Sequence, residues 1–253
     1  MTVIRPLATA AALALGLALP AHALDLDNLT EAERATLHDE IRAYLLQNPE
    51  VIMEAVAVLE ERQAQGQVQA DAELVRANAD ALFDEGHSWV GGNPEGDITL
   101  VEFMDYRCGY CRRAVDEVEG LLDADGNIRF ILKEFPILGD ESMLASRFAI
   151  ATRQVAGDDA YKAVHDALMS YNGAMNEAGF IRLADSLGLD AQPIVDAMNR
   201  DSVTRVIAAN HQLGQKLQIN GTPTFVMGEQ MLRGFVPQDA LQEVADEIRT
   251  LRK

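Results

Sequence analysis

The sequence predicts an α/β fold in which a β-α-β unit, a helical insertion and a β-β-α unit follow an N-terminal helical arm. Two observations carry this prediction. The apolar, β-branched run over 98–103 has the length of a buried strand, and a second such run follows over 127–134. Apolar residues then recur at helical spacing from 141 to about 217, before a hairpin pattern over 224–233. A parallel strand pair and a hairpin are therefore expected in one sheet.

The composition is that of a globular protein with a strong negative charge. The chain has 253 residues, 48% of them apolar and 24% charged, which argues against disorder and against a multi-span membrane protein. Its 40 acidic and 21 basic side chains give a net charge of −19, which repels nucleic-acid phosphates, so we expect no nucleic-acid partner. Two cysteines are too few for a disulfide-stapled scaffold.

Residues 1–23 have the three parts of a cleavable signal peptide. Arg5 supplies a positive charge, an apolar run covers 7–19, and Pro20 precedes a small-x-small cleavage site over 21–23. The apolar run is shorter than the roughly 20 residues that a membrane-spanning helix needs. The sequence therefore predicts export to an oxidising compartment.

Residues 24–85 are predicted to form a helical arm. Thr30 and Glu33 have the spacing of a capping box, and an Asn-Pro step at 48–49 ends the first helix. The arm needs a partner for its narrow apolar stripe, either the downstream domain or other copies of the chain. We predict a homo-oligomer, with a trimer favoured over a dimer, and a flexible joint over 60–69. The stripe consists of Leu37, Ile41, Tyr44, Leu45, Val51, Ile52, Ala55, Val58 and Leu59.

A second domain is predicted over 86–253. Its Gly-, Asn- and Pro-rich start over 86–96 is a turn cluster, within which 88–90 form a candidate edge strand. A helix over 112–122 joins the two parallel strands, and the helical insertion covers about 139–217. This order of elements is a thioredoxin-like arrangement with an inserted helical subdomain.

The end of the chain returns to the sheet. Residues 224–227 and 230–233 are of strand type, and the Gly-Glu step at 228–229 between them predicts a tight hairpin. The segment 237–252 is predicted to be a closing helix.

Cys108 and Cys111 form a Cys-x-x-Cys pair directly after the first buried strand and at the start of a helix. A helix N-terminus stabilises a thiolate, and Arg107 and Arg112 add positive charge. We predict Cys108 as the exposed nucleophile and Cys111 as the buried resolving thiol. A zinc site is less favoured because there is no second cysteine pair, and an inert disulfide would close too short a loop to stabilise much. No metal site is predicted.

Two motifs together resemble a known family. The string Val-Glu-Phe-Met-Asp-Tyr-Arg-Cys-Gly-Tyr-Cys over 101–111 and the string Gly-Thr-Pro-Thr-Phe-Val over 221–226 resemble the DsbA/DsbG branch of the thioredoxin superfamily. With the helical arm, the Asp-Tyr-x-Cys-Gly-Tyr-Cys string resembles the ScsC-like and Com1-like periplasmic proteins most closely. The resemblance implies a periplasmic disulfide oxidoreductase that uses a redox-active Cys108–Cys111 disulfide and no further cofactor.

The resemblance also implies a substrate-binding surface. Pro223 would be cis and face the cysteines, and the backbone of Thr222 would pair with an extended substrate peptide. Two general observations are compatible with this. A proline is tolerated at the head of a strand where the ladder needs no N–H, and cis peptide bonds are nearly always X-Pro bonds. Gly109 and Tyr110, between the cysteines, are expected to contact substrate and to modulate thiolate stability.

Glu102 lies six residues before Cys108 on a strand predicted to be buried. Burial would raise the pKa of its carboxyl, which could then shuttle the proton of Cys111. The alternative is a solvated glutamate at a sheet edge. Lys133 and Glu134 resemble charged positions near this proton path in the family, with a solvated pair as the alternative.

The leading prediction is a periplasmic thiol–disulfide oxidoreductase that acts on exported polypeptides containing cysteines. A mixed disulfide would form at Cys108 and be resolved by Cys111. The arm favours an isomerase or reductase, served by a membrane redox partner of unknown identity. The alternatives are a monomeric DsbA-like dithiol oxidase and a non-catalytic thiol protein that binds copper or peptide.

Overall fold

The computed structural model of the protein describes residues 28–252. The predicted signal peptide over 1–23 lies outside the described residues. The chain divides into two compact units between Glu60 and Glu61. No helix of the described residues is long and apolar enough to cross a membrane.

The first unit consists of helix α1 (Glu31–Gln47) and the start of helix α2 (Glu50–Ala77). The predicted capping box is confirmed, because the Thr30 hydroxyl accepts from the Glu33 N–H at 3.3 Å while the Glu33 carboxylate accepts from the Thr30 N–H at 2.9 Å. The break at 48–49 is also confirmed. Helix α1 buries none of its residues.

Helix α2 runs without interruption through 60–69, where the sequence predicted a flexible joint. The Glu, Gln, Ala and Arg residues around Gly66 are strong helix formers and outweigh one glycine, and the boundary between the two units falls at the start of this stretch. The flexibility of the stretch stays a prediction. Val75, near the end of α2, and Leu82, in the short helix α3 (Ala79–Phe83), are both fully buried.

The second unit begins at Glu61, whereas the sequence places the domain boundary between 85 and 86. Val75 and Leu82 pack in one apolar cluster with Phe103 of the sheet. Asp71 of α2 also forms a two-pronged ion pair with the guanidinium of Arg233. Residues of the predicted arm therefore complete the core of the second unit.

The sheet has five strands in the order β1-β3-β2-β4-β5. Strands β2 and β3 are parallel and β4 and β5 form an antiparallel hairpin, as the β-α-β and β-β-α units predict. The pairs β1–β3 and β2–β4, for which the sequence predicted no partner or direction, are antiparallel. The strands are β1 (Trp89–Gly92), β2 (Ile98–Met104), β3 (Ile128–Glu134), β4 (Thr224–Met227) and β5 (Gln230–Arg233).

Helix α4 (Gly109–Asp125) joins β2 to β3, five helices form the insertion, and α10 (Gln238–Leu251) closes the fold. Side chains alternate across β2, so that Phe103 faces the cluster of Val75 and Leu82 whereas Leu100 faces α4 and the insertion. The predicted burial of this strand on both sides is confirmed. The insertion helices are α5 (Asp140–Ala156), α6 (Asp158–Ser170), α7 (Glu177–Ser186), α8 (Ala191–Ala197) and α9 (Asp201–Lys216).

Candidate active site

The two cysteines lie at the N-terminus of α4, on the turn that leaves the central strand. Cys108 is the N-cap residue of α4, and its sulfur accepts a hydrogen bond from the Cys111 N–H at 3.4 Å. Both are free thiols. Cys108 is 6% exposed, less than the sequence predicted, while Cys111 is fully buried as predicted. Thr222 contacts the Cys108 sulfur, which contributes to this burial.

The surroundings of Cys108 favour its thiolate. The pKa of Cys108 is lowered to about 5. The hydrogen bond from the Cys111 thiol lowers it most, and hydrogen bonds from the backbone N–H groups of Cys111 and Tyr110 add to this effect, whereas burial acts in the opposite direction. The Thr222 carbonyl accepts from the Cys108 thiol at 3.1 Å, and a side-chain hydrogen bond with Thr222 lowers the pKa of Cys108 further. Burial raises the pKa of Cys111 far above its ordinary value. One sulfur is therefore ready to attack, and the other keeps its proton.

Arg107 and Arg112 hold the turn in place. Arg107 pairs with the Glu141 carboxylate at 3.1 Å, and Arg112 donates to the carbonyls of Tyr106 and Tyr171 at 3.0 and 2.9 Å. The sequence predicted them as sources of positive charge for the thiolate. Their contacts show that they also anchor the chain on both sides of Cys108.

The thiolate absorbance of the reduced protein is expected to titrate with a midpoint near pH 5, because the pKa of Cys108 is lowered from 9.0 to about 5. The thiolate fraction should rise as the pH increases through this value. Cys108→Ala should remove the transition, whereas Cys111→Ala should move it upward because the largest stabilising hydrogen bond is lost. A midpoint near 9 in the unmodified protein would contradict the assignment.

The Thr222–Pro223 peptide bond is cis, as predicted. The loop places the Thr222 carbonyl beside the Cys108 sulfur, and the Pro223 carbonyl accepts from the Gly234 N–H at 2.9 Å. A cavity of about 150 Å³ adjoins the loop and includes Thr222, Pro223 and Arg233 in its lining. Thr222 is only partly buried, so its backbone lies near the surface next to the nucleophile.

Tyr110 forms an exposed surface beside Cys108. Its side chain is 57% exposed, and the Arg113 guanidinium lies 4.4 Å above its ring. The same guanidinium lies 5.7 Å from the ring of Phe235, which precedes α10. Sequence reasoning missed Arg113 and Phe235. The i, i+3 spacing of Tyr110 and Arg113 would have indicated half of this stack, but Phe235 joins it only through the fold. Gly109 is exposed beside Tyr110.

Glu102 is buried in the centre of the sheet rather than solvated at an edge. It lies on β2 opposite Leu132 of β3 and Phe225 of β4, and it is 5% exposed. Burial, together with the nearby charge of Cys108, raises its pKa to about 8. A carboxyl with this pKa can accept and release a proton near neutral pH.

Glu102→Gln is expected to raise the free energy of unfolding more at about pH 9 than at about pH 5. An unfolded glutamate ionises near 4.5, whereas folded Glu102 keeps its proton until about 8. The stability that the neutral carboxyl contributes is therefore fully present below pH 4.5 and is lost as the pH rises through about 8. Glutamine avoids that loss, which is on the order of a few kcal/mol.

Denaturant unfolding of the reduced wild-type protein and of the Glu102→Gln variant at the two pH values measures this difference. The slope of the free energy of unfolding against denaturant concentration should be the same for both proteins. An effect of equal size at both pH values would contradict an ionisable, buried Glu102.

Lys133 and Glu134 are buried on opposite faces of β3, so the solvated-pair alternative was wrong. The Lys133 ammonium pairs with the Glu85 carboxylate at 2.5 Å on the face of Phe103. Ion pairing and hydrogen bonds hold the pKa of Glu85 well below its usual range despite burial. Lys133 therefore ties the segment before β1 to the sheet, on the side away from Glu102.

Glu134 faces the insertion and accepts three hydroxyl hydrogen bonds. Tyr106 and Tyr161 donate to one carboxylate oxygen at 2.8 and 2.7 Å, and Ser146 donates to the other at 2.7 Å. Burial raises the pKa of Glu134 to about 7 although these donors oppose the shift. Tyr106 lies two residues before Cys108, so this network connects the active-site turn to α5 and α6.

Asp105 is a further site residue that sequence reasoning missed. Its fully buried carboxylate fastens the turn before Cys108 to the loop after β3 and to α5. A buried carboxylate with several donors orders the backbone around it. The only sequence signal was its place in the Asp-Tyr-x-Cys string. Its donors are the N–H groups of Arg107, Ile137 and Leu138 and the hydroxyl of Ser142, at 2.7 to 3.0 Å.

Comparison with known proteins identifies the fold family. A family profile, DSBA-like thioredoxin domain, matches residues 99–246. The chain belongs to this family. A second profile, Copper resistance protein ScsC N-terminal domain, matches residues 33–65. The predicted thioredoxin-like fold with a helical insertion and an N-terminal helical region is confirmed, as is the resemblance to DsbA-like and ScsC-like proteins.

Solved structures agree with this assignment. The crystal structure of a thioredoxin-like oxidoreductase from Silicibacter pomeroyi DSS-3 is 47% identical, with a TM-score of 0.65 over 68% of this chain and 98% of that chain. Proteus mirabilis ScsC in a transitional conformation is 26% identical, with a TM-score of 0.63 over 87% of this chain and 97% of that chain.

The first curated relatives are much longer than the matched segment. The Na(+)/H(+) antiporter NhaA 3 of Salinispora tropica is 27% identical over 62% of this chain. The chain spans 24% of the length of that relative. The similarity thus concerns one domain of a larger protein.

No group of three or more His, Cys, Asp or Glu side chains within residues 28–252 is arranged to hold a metal ion. His165, the buried histidine nearest the site, contacts the Tyr106 hydroxyl at 3.2 Å, and burial lowers its pKa to about 3.

Proposed function

We propose that the protein is a thiol–disulfide oxidoreductase that acts on cysteine-containing exported polypeptides. The observation that carries the proposal is the pairing of a Cys108 thiolate at a helix N-terminus with a buried Cys111 thiol and a buried acid, Glu102. Family membership supports it. The redox group is the Cys108–Cys111 pair, and no further cofactor is needed for the exchange.

The chemistry follows from the two sulfurs. The Cys108 thiolate attacks one sulfur of a substrate disulfide, forming a mixed disulfide and releasing the other substrate sulfur as a thiolate. Cys111 transfers its proton to ionised Glu102 and attacks the Cys108 sulfur. The second substrate thiolate leaves, so the substrate is reduced and the Cys108–Cys111 disulfide is formed. The reverse sequence oxidises a dithiol, and attack by another substrate thiol on the mixed disulfide produces isomerisation.

Substrate binding is proposed at the surface around Cys108. The partly buried Thr222 backbone next to the sulfur supports pairing with an extended peptide, adjacent to buried Pro223. Exposed Gly109 and Tyr110 extend this surface, and Arg113 holds the tyrosine ring in place. Bound polypeptide would therefore cover the nucleophile and leave the far end of α4 free.

We propose isomerisation as the main reaction, in a homo-oligomer formed by the arm. Within the first unit five large side chains of the predicted stripe are exposed, among them Ile41 at 49% and Ile52 at 51%, while Leu37, Leu45 and Val51 are half-buried. Apolar patches of this kind mark interaction surfaces. Linked active sites raise the local concentration of thiols around one misfolded client. The match of 33–65 to the ScsC N-terminal domain supports a dedicated role for this segment.

A dithiol oxidase is the second candidate, and the low pKa of Cys108 favours it. A stabilised thiolate is a good leaving group and makes the oxidised pair more oxidising. The same property disfavours a strong reductase, which the sequence predicted as an alternative to the isomerase. Periplasmic location and a membrane redox partner are part of the proposal, supported by the signal-peptide pattern over 1–23.

Parallel assays of scrambled ribonuclease and of reduced ribonuclease test the proposal. An isomerase regains activity from the scrambled form faster than it oxidises the reduced form, and an oxidase shows the opposite order. A protein that binds copper or peptide without exchange shows turnover in neither assay, and that result would overturn the proposal.

A further inference from the structure

Two ion pairs connect helix α2 to the β4–β5 hairpin. Asp71 pairs with Arg233, the last residue of β5. Arg76 pairs with Glu229, in the turn between the two strands, at 2.6 Å. Asp71 is 4% exposed, whereas both side chains of the second pair are more than half exposed. Because an exposed ion pair contributes little while a buried charge needs its partner, the Asp71–Arg233 pair is the stronger contact.

The Asp71 carboxylate holds the Arg233 guanidinium in one orientation. Both carboxylate oxygens accept from the guanidinium, one of them at 2.9 Å. Gln67, one turn earlier in α2, donates its side-chain amide to the same carboxylate at 2.8 Å. A two-pronged contact between arginine and a carboxylate fixes the direction of the side chain as well as its position.

Arg233 ends β5 directly beside the loop that carries the cis peptide bond. It lies opposite Thr224, the residue that follows Pro223. The next residue, Gly234, donates its N–H to the Pro223 carbonyl at 2.9 Å. Gly234 has a φ of 89°, a left-handed conformation at which the chain turns out of the strand. The position of this donor therefore depends on where Arg233 is held.

The end of β5 has little other support within the sheet. Among the described strands, β5 is an edge strand of four residues that pairs with β4 alone. So short a strand at an edge has few ladder hydrogen bonds. Arg233 also lines the cavity of about 150 Å³ that adjoins Thr222 and Pro223. The contact with Asp71 thus stabilises a strand end that forms part of the substrate surface.

We propose that Asp71 is a positioning residue for substrate binding. Through Arg233 it holds the end of β5, and the Gly234 hydrogen bond then holds the loop whose Thr222 backbone pairs with substrate. The helix that begins in the first unit is therefore also the helix that supports the substrate loop. The inference rests on the proposed function and adds two positioning residues to it.

Loss of the pair should weaken polypeptide binding and leave the nucleophile intact. The pKa of Cys108 is lowered most by the Cys111 thiol, which belongs to α4 and not to the hairpin. An interaction made equally with bound substrate and with the transition state changes the half-saturating substrate concentration and not the limiting rate. A small disulfide needs no backbone pairing with the loop, so its exchange should be unaffected.

A peptide assay tests the proposal. Reduced protein is mixed with an excess of a disulfide-bonded peptide whose fluorescence rises on reduction, and the rate is measured against peptide concentration. Asp71→Asn removes the charge at nearly constant size and should raise the half-saturating concentration about fivefold, with an unchanged limiting rate. Arg233→Lys keeps the charge but loses the two-pronged contact, and it should give a smaller rise of the same kind.

Matched variants separate this role from a general effect on α2. Arg76→Gln breaks the exposed ion pair between the same helix and the same hairpin, and it should change neither value. Exchange with a small aromatic disulfide whose thiolate is coloured should be equal in all these proteins. Combining Asp71→Asn with Arg233→Lys should raise the half-saturating concentration no further than Asp71→Asn alone, because both act through one pair.

Three results would overturn the proposal. They are an unchanged half-saturating concentration in folded Asp71→Asn and Arg233→Lys, an equal rise in Arg76→Gln and Asp71→Asn, and equal slowing of the peptide and the small disulfide. If Asp71→Asn does not fold, Arg233→Lys provides the test against Arg76→Gln. Failure of the unmodified protein to release the coloured thiolate would instead overturn the proposed function.

Discussion

Replacing Cys108 by alanine is expected to reduce disulfide exchange to the uncatalysed rate. Cys108 carries the stabilised thiolate, whereas burial holds Cys111 in its thiol form. Because the thiolate is the attacking species, the remaining cysteine cannot replace the lost nucleophile. Insulin reduction and the refolding of scrambled ribonuclease measure the loss, and circular dichroism checks that the variant is folded.

The matched variant Cys111→Ala should accumulate mixed disulfides with substrate. Cys108 can still attack, although with a higher pKa, but no neighbouring thiol can release the complex. Non-reducing electrophoresis followed by mass spectrometry should locate the link at Cys108. Equal trapping by Cys108→Ala and Cys111→Ala would reverse or remove the assigned roles.

Removing residues 24–60 is expected to turn an oligomer into a monomer and to lower the isomerase rate by about tenfold or more. The deletion stops at Glu60 because Val75 and Leu82 fill the core of the second unit, so a deletion to residue 85 would open that core. The oxidation of a small dithiol peptide should be unaffected, since it needs only one active site. Light scattering and the two ribonuclease assays provide the measurements.

Point variants separate the apolar stripe from the rest of the arm. Ile41→Glu and Ile52→Glu place a charge on exposed stripe positions and should dissociate the full-length protein. Val68→Glu makes a similar change at a more exposed position of α2 outside the stripe, 63% exposed, and should leave the mass unchanged. A full-length protein that is already monomeric, or a truncated protein that keeps its isomerase rate, would contradict the role of the arm.

The two sets of experiments address different levels of the function. The cysteine variants test the exchange reaction, and the arm variants test whether that reaction is directed to isomerisation. An active monomer would support the oxidase candidate, which the low pKa of Cys108 already favours over a reductase. The arrangement of the site does not change between these outcomes, because Asp105 and Arg112 anchor the turn within the second unit.

The sequence by itself determined the elements and the reactive pair. The strand composition over 98–103 and 127–134 and the hairpin pattern over 224–233 depend on residues close in the chain, so these strands, the parallel pair β2–β3 and the hairpin β4–β5 could be predicted. The pairs β1–β3 and β2–β4 join distant segments and were not predicted. The same is true of Cys108 at a helix start, since a strand–turn–helix motif is local. The predicted burial of Glu102 followed from the apolar residues on both sides of it.

Only the tertiary structure decided which residues surround the pair. Lys133 and Glu134 are neighbours in sequence but face opposite sides of β3, because side chains alternate along a strand. Phe235 and Thr222 come within reach of the site only when the end of the chain joins the sheet. A cavity of about 270 Å³ that Glu102 lines is enclosed by residues of β1, β2, β3, α4 and α6, so it depends on packing between distant segments, which local sequence patterns do not encode.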